Sequence, residues 1–153
     1  MAIDGRERLL KKLAALSPKT REAIGKAVRQ GADEIVAAQK RLAPKRTGAL
    51  AASIVATSGG AAPKYSQGGR TTGQASDPEL TVVVSAGNSK VRYAHLVEFG
   101  TAPHENKGLF EGSQNPGAKP APFFYPVARA YRKRVKARIT RATKKAAREA
   151  ASS

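Results

Sequence analysis

The chain has 153 residues, a formal net charge of +17 and no cysteine, and 41% of its residues are hydrophobic. This length predicts one domain over residues 1–153, but the apolar residues are rich in alanine and include no tryptophan, so we expect a subunit that is stabilised by its neighbours. The composition excludes disulfides and thiolate metal ligands, and no apolar run approaches the ~20 residues of a membrane-spanning helix, so we expect a soluble, cytoplasmically made product that contacts an anionic partner.

Two amphipathic helices are predicted in the first third of the chain. Leucines at helical spacing predict a short helix over residues 1–16, which lacks the apolar block of a signal peptide. Ser17 is a suitable N-cap and Pro18 a suitable first residue for a second helix over 18–43. Two glycines inside that helix each cost about 1 kcal/mol relative to alanine, so its stability must come from packing.

The middle of the chain is predicted to contain two strands separated by a long loop. β-Branched residues favour strands over 49–58 and 80–87. The intervening residues 59–78 include five glycines and two prolines and predict a long mobile loop. Loops of this length are usually functional or become ordered against a partner, so Tyr65 and Arg70 are predicted to contact a neighbouring copy.

The stretch YAHLVEFGTAPH contains both histidines of the chain. Residues 91–101 around it are predicted to form a strand or a short helix. His95, Glu98 and His104 allow a metal-dependent enzyme as one alternative, because ligands three residues apart share a helix face and a third can come from a loop. Their spacing matches no known zinc motif, so no metal ligand is predicted here.

A structural role for this stretch is the favoured interpretation. Glu98 is expected to accept hydrogen bonds from loop backbone or from an arginine, and Gly100 to end a helix or form a tight turn. His95 is expected at the surface or at a subunit contact. The apolar side chains expected to pack are those of Tyr93, Leu96, Val97 and Phe99. No serine or pair of carboxylates has a catalytic context, so no catalytic residue, cofactor or enzyme activity is predicted.

A second irregular segment precedes the last helix. Residues 102–122 contain four prolines and three glycines and predict a loop that reaches outward. The sequence FFYP, from Phe123 to Pro126, then concentrates aromatic residues before the helix. We expect these aromatics to anchor the helix to the sheet, with insertion into a neighbouring subunit as the alternative.

The last helix is predicted over residues 124–150, where apolar residues recur at helical spacing. Residues 123–153 carry ten Lys and Arg against one Glu. Such a helix attracts phosphates without reading bases, and the alternative is a solvated helix that is merely basic. The side chains predicted to face DNA are Arg132, Lys133, Arg134, Lys136, Arg138, Arg141, Lys144 and Lys145.

Three blocks of sequence, in this order, resemble one known family. They are LAPKRTGALAASI at 42–54, YAHLVEFGT at 93–101 and PAPFFYPVARAYRK at 120–133. Together they resemble the gene-product-ten family of HK-type tailed bacteriophages and prophages, whose members are neck, tail-completion or head–tail joining proteins and also occur in gene transfer agents. The resemblance covers residues 20–150. The positions that carry it are Pro44, Thr47, Gly48, Tyr93, Glu98, Gly100, Thr101, Pro122, Phe123 and Pro126.

The elements predict an α+β fold, in which a small antiparallel sheet packs with two long helices and two long loops. The resemblance implies a virion structural protein at the head–tail junction, without catalytic activity or cofactor. It also implies a hexameric ring between the portal, adaptor or head-closure proteins and the tail-tube proteins, through which packaged DNA passes. The charge alone supports a different alternative, a basic nucleic-acid-binding protein of the nucleoid or ribosome.

Overall fold

The computed structural model describes residues 17–68 and 77–152. The fold is α+β, as predicted, with two long helices and a small antiparallel sheet. The helix predicted over residues 1–16 lies outside the described residues. In chain order the elements are α1 (Pro18–Leu42), α2 (Ala49–Ala52), β1 (Val55–Ser58), β2 (Val82–Ser85), α3 (Ala94–Phe99), β3 (His104–Glu105), β4 (Gln114–Asn115) and α4 (Tyr125–Ala151).

Helix α1 begins and ends where local chemistry requires. The Ser17 hydroxyl accepts the backbone N–H of Thr20 at 3.3 Å, and Pro18 occupies the first turn, where its missing N–H costs nothing. The residue before a proline is disfavoured in helix, and Ala43, before Pro44, is extended with ψ 134°. The helix predicted over 18–43 is therefore found, one residue shorter.

The strand predicted over 49–58 is wrong in its first half. Ala49–Ala52 form α2, a single helical turn that starts after Gly48, and β1 begins only at Val55. Alanine and leucine have the highest helix propensities, and here they outweigh the β-branched residues that follow. The Ser53 hydroxyl donates to the carbonyl oxygen of Leu50 at 2.7 Å, which closes the turn before the strand starts.

The main sheet consists of β1 and β2, which pair antiparallel with Val55 opposite Ser85. Strand β2 is shorter than the predicted range 80–87. The predicted loop over 59–78 is not irregular throughout, because the Gln67 N–H donates to the Ala86 carbonyl at 2.7 Å and the Ala86 N–H returns the bond at 2.9 Å. Residues 59–68 thus return to the sheet before the described chain is interrupted at 69–76.

The two long helices pack antiparallel along each other, as two of their contacts show. The side chain of Gln39 donates to the Phe124 carbonyl oxygen at 3.1 Å, and Gly31 lies against Val135. A Cβ atom at Gly31 would lie 2.6 Å from Cγ1 of Val135, so this glycine permits the close approach of the helices. The apolar face predicted for the last helix is the face turned toward α1.

The core lies where α2, β2, α3 and the start of α4 meet beneath the carboxyl end of α1. Phe123 is fully buried and Phe124 is 4% exposed, with their rings edge to face at 6.3 Å between centroids. The aromatic residues of FFYP therefore anchor α4 within the subunit, which is the prediction that was preferred over insertion into a neighbouring subunit. The buried core residues are Ala43, Leu50, Ile54, Ala86, Val91, Ala94, Phe123 and Phe124.

Residues 102–122 were predicted to form an irregular loop, but they include a short β-hairpin. Strands β3 and β4 pair antiparallel, with His104 opposite Asn115 and Glu105 opposite Gln114. The Asn106 N–H continues the ladder toward the tip by donating to the Ser113 carbonyl oxygen at 2.9 Å. Strands of two residues leave no hydrophobic alternation in the sequence, so periodicity could not reveal them.

Candidate functional site

Glu98 caps the amino terminus of α4 from a different helix. Its side chain is buried, and Oε2 accepts the N–H groups of Phe123 at 2.8 Å and Phe124 at 2.9 Å, while Oε1 accepts that of Tyr125 at 3.0 Å. The first turn of α4 contains no acidic residue of its own. Glu98 therefore supplies both the acceptors and the negative charge that a helix amino terminus requires, and the expectation that it accepts backbone hydrogen bonds is confirmed.

The three candidate metal ligands do not form a site. Both oxygens of Glu98 are occupied by backbone donors, and His95 is exposed on α3. His104 lies in β3, with its Nδ1 atom 3.1 Å from the carbonyl oxygen of Ala102. Within residues 17–68 and 77–152 there is no group of three His, Cys, Asp or Glu side chains that could hold a metal ion.

Gly100 and Thr101 redirect the chain after α3. Gly100 has φ 73°, and a Cβ atom there would lie 2.6 Å from the carbonyl oxygen of Ala118 and 2.8 Å from the nitrogen of Pro120. Thr101 pairs with Ala118, donating its N–H to the Ala118 carbonyl at 2.9 Å and accepting the Ala118 N–H on its hydroxyl at 2.9 Å. This pairing brings the chain back toward the start of α4.

The first two sequence blocks meet in space. Pro44 and Thr47, from the turn after α1, line a cleft of about 540 Å³ together with Tyr93 at the start of α3. Gly48 has φ 75° and nothing within 4 Å of a Cβ atom, so it is required for its backbone angle rather than for space. In the third block Pro126 lies in the first turn of α4 and is exposed.

A larger cleft of about 780 Å³, which we call the aromatic cleft, opens on the other side of α3. It lies between α1, residues 65–68, α3 and the start of α4, and the rings of Phe99 and Tyr125 stand in its wall with centroids 5.9 Å apart. The expectation that the apolar residues of this stretch pack is wrong for three of them. Phe99 is 66%, Leu96 40% and Tyr93 39% exposed, because α3 turns Ala94 and Glu98 inward.

Tyr65, one of the two residues predicted to contact a neighbour, lines this cleft. The Arg92 guanidinium lies 4.1 Å and the Lys64 ammonium 5.1 Å from the centroid of its ring. Its φ is 65°, in the left-handed region that costs a non-glycine residue about 1–2 kcal/mol. Arg70, the second predicted contact residue, lies outside the described residues.

The tip of the β3–β4 hairpin carries an apolar pair that the sequence analysis missed. Leu109 is 99% and Phe110 is 73% exposed. A Leu–Phe dipeptide between two glycines in an otherwise polar loop was a signal that could have identified it. Exposed apolar side chains grouped at one place are typical of interaction sites.

A family model matches the chain over residues 7–100, and its description is "Bacteriophage HK97-gp10, putative tail-component". The match covers more than half of the chain. The chain belongs to the HK97-gp10-like family. Searches of curated proteins and of solved structures gave no match.

Membership of the HK97-gp10-like family makes the chain a tail-related structural component of a bacteriophage. The match includes the whole first block, at 42–54, and all of the second except Thr101, and it ends at Gly100. The hairpin, the third block and α4 therefore lie beyond the matched segment. Among the described residues of this HK97-gp10-like chain, no helix is both long and apolar enough to cross a membrane.

The basic residues of α4 divide into two groups in this HK97-gp10-like chain. Arg138 donates to Oε1 of Glu34 on α1, and Arg134 Nε lies 3.2 Å from the other oxygen, close enough for an ion pair but not aligned as a hydrogen bond. The hydrogen bond from Arg138, together with both positive charges, lowers the pKa of Glu34. The other eight basic side chains are exposed, and they are Arg129, Arg132, Lys133, Lys136, Arg141, Lys144, Lys145 and Arg148.

Proposed function

We propose that this chain is a structural subunit of the phage head–tail junction. Copies form a hexameric ring that joins the portal, adaptor or head-closure proteins to the tail tube and lets DNA pass. The observation that carries the proposal is the exposed apolar surface around α3 and the hairpin, where Phe99, Leu109 and Phe110 are mostly exposed. A free subunit gains nothing from such a surface, whereas a subunit in an assembly buries it.

The exposed cations of α4 suit a channel that DNA crosses. Side chains such as Lys133 and Lys144 attract phosphates along the whole duplex and carry no sequence information. The aromatic side chains of this segment are poorly placed to stack on bases, since Phe123 and Phe124 are buried and the half-buried Tyr131 lies beside Ala38 and Leu42 of α1. A ring lined in this way holds DNA of any sequence weakly.

The proposed role requires no catalysis and no cofactor. Glu98, the buried carboxylate of the central block, holds backbone N–H groups and has no oxygen left for acid–base chemistry. The same role applies whether the gene belongs to a phage, a prophage or a gene transfer agent. The site of action is then the virion, after synthesis in the cytoplasm of the host bacterium.

Loss of the gene from the producing strain tests this function. We expect full heads and separate tails in electron micrographs, with joining restored when the wild-type chain is supplied. An antibody label on intact particles should lie at the junction between head and tail. Tails that attach normally without the chain, or label confined to the far tip of the tail, would contradict the proposal.

A second candidate function is a free nucleic-acid-binding protein of the nucleoid or ribosome, which the exposed cations of α4 favour. Duplex DNA binding across a salt series separates the two functions. A nucleoid-type protein binds as a free subunit, with affinity falling steeply as salt rises. A ring component binds weakly as a subunit and more tightly once assembled, because only the ring aligns many phosphate contacts.

A further inference from the structure

The hairpin tip and the aromatic cleft differ in shape, and neither is paired within the described chain. The tip projects Leu109 and Phe110 into solvent, with 99% and 73% of their surfaces exposed. The cleft is a concave surface walled by Phe99 and Tyr125. Its volume of about 780 Å³ falls within the roughly 300–1,000 Å³ of clefts that hold ligands, which is room for two large side chains.

The charges around the two surfaces are opposite. Glu105 and Glu111 flank the tip, together with a single cation, Lys107. At the cleft, Arg92 and Lys64 lie over the ring of Tyr65, which forms part of the lining. An acidic tip in a chain of net charge +17 is attracted to another copy of that chain and in particular to this cationic edge.

Polar atoms in the cleft also suit a peptide occupant. Gln39 and Gln67 both line it. Oε1 of Gln39 and both amide atoms of Gln67 are buried and have no hydrogen-bond partner within residues 17–68 and 77–152. Buried amides of this kind are normally paired, and the backbone N–H and C=O groups of a hairpin turn offer both a donor and an acceptor.

We propose that the Leu109–Phe110 tip of one copy inserts into the aromatic cleft of the next copy. This inference rests on the proposed ring and identifies its subunit contact. Tip and cleft are different surfaces of one chain, so the contact is head to tail, which is the type of contact that forms a ring when the rotation between copies closes. Phe110 is the central anchor, and Glu105 and Glu111 face the cations at the edge of the cleft.

The absence of cysteine from the chain makes the contact testable by cross-linking. Lys107→Cys places a thiol beside the tip and leaves the apolar pair intact, and His95→Cys places one in the lining of the cleft. With a short bifunctional maleimide, the double variant should give a ladder of covalent oligomers. An equimolar mixture of the two single variants should give dimers and nothing larger. Each single variant alone should remain uncross-linked.

Serine substitutions measure the contribution of the tip to association. Phe110→Ser should weaken self-association at least about tenfold, as judged by light scattering over a concentration series. Leu42→Ser is the matched control, because Leu42 is 61% exposed at the end of α1 and lies outside the proposed contact. Its association should equal that of the wild type, and circular dichroism should show both variants folded.

The outcomes separate this contact from the ring itself. If the wild type forms rings but the double cysteine variant gives no cross-linked ladder, the contact is wrong and the proposed function stands. The same conclusion follows if the wild type forms rings and Phe110→Ser associates normally. If the Lys107→Cys variant alone forms cross-linked dimers, the tips contact each other, and this also overturns the proposed tip-to-cleft contact. A wild-type chain that stays monomeric at all concentrations, without cross-links, overturns both the contact and the ring.

Discussion

The α1–α4 helix pair and the end of the molecule formed by α3 and the hairpin are constructed in opposite ways. In the helix pair, shape is matched within one chain, since Gly31 leaves the space that Val135 occupies. At the other end Glu98 accepts hydrogen bonds from buried backbone N–H groups, but Leu109 and Phe110 are exposed at the surface. Replacements in the first region should therefore change folding, and replacements on the surface of the second should change assembly.

Removing the Glu98 carboxylate should have the largest effect on stability. Glu98→Ala leaves three N–H groups at the start of α4 without acceptors, at about 1–3 kcal/mol for each buried donor. We expect a decrease of about 3–5 kcal/mol in the free energy of unfolding, measured by denaturant titration. The control Glu22→Ala, at an exposed position of α1, should stay within about 0.5 kcal/mol of wild type. A decrease below about 1 kcal/mol for Glu98→Ala would show that the cap contributes little.

Two glycines within α1 should respond in opposite directions to alanine. Gly31→Ala brings a methyl group against Val135 and should destabilise by about 1–3 kcal/mol. At Gly25 a Cβ atom would lie 3.4 Å from the end of the Arg29 side chain and 3.5 Å from the Glu79 carbonyl oxygen, which are ordinary distances. Gly25→Ala should therefore stabilise by up to about 1 kcal/mol through helix propensity. Thermal unfolding of both variants measures this difference.

A double-mutant cycle identifies the cause of the Gly31 effect. In a Val135→Ala background the clash is removed, so Gly31→Ala should cost less than it does in the wild type. Equal costs in both backgrounds would mean that the glycine serves some purpose other than close helix packing.

The ion pair of Glu34 should make the helix pair sensitive to acid. Its pKa is lowered from the ordinary 4.5, first by the hydrogen bond from Arg138 and then by the nearby arginine charges, so the ion pair stabilises the fold above pH 4.5. This stabilisation disappears as pH falls through the lowered folded-state pKa. The difference in unfolding midpoint between wild type and Glu34→Gln should shrink as pH falls below 4.5.

An exposed carboxylate provides the comparison for that experiment. Glu22→Gln removes the same negative charge from an exposed position of the same helix, and its unfolding midpoint is compared with wild type over the same pH range. If the Glu34→Gln difference stays constant from neutral pH to about pH 3, the ion pair does not contribute to the acid response.

The smallest effect on folding is expected on the exposed face of α4. Lys133→Ala with Lys144→Ala should leave the unfolding midpoint unchanged and lower the salt slope of DNA binding by the assembled ring, by about one unit for each phosphate that is no longer neutralised. Lys45→Ala with Arg46→Ala, in the exposed turn after α1, removes the same charge from another place. An equal reduction of slope in the control pair would show that net charge, rather than the face of α4, governs binding.

Several features could be predicted from sequence because their causes are local. Ser17 and Pro18 mark the start of α1 through capping chemistry that involves only adjacent residues. Glu98 among apolar residues indicated a structural hydrogen-bond acceptor, and the aromatics at Phe123 and Phe124 indicated an anchor. In each case the residue types themselves limit what the position can do.

Other features depend on contacts between segments that are distant in sequence, and these features were not predicted. Nothing near Glu98 shows that its donors come from residues at the start of α4. The exposure of Phe99 follows from the orientation of α3, which turns Glu98 inward, and hydrophobicity alone suggests the opposite. The short helix Ala49–Ala52 was not predicted because the β-branched residues that follow it favoured a strand over the whole of residues 49–58.

The cap of α4 by Glu98 has a consequence for the order in which the protein folds. The carboxylate and its first donor, Phe123, are 25 residues apart, so the intervening segment must close into a loop before the first turn of α4 is fixed. An isolated helix with ten cations and one anion over its length repels itself and is marginal in water. We therefore expect the final helix to become rigid only after the centre of the subunit has formed, so that firmly positioned cations mark a correctly folded subunit.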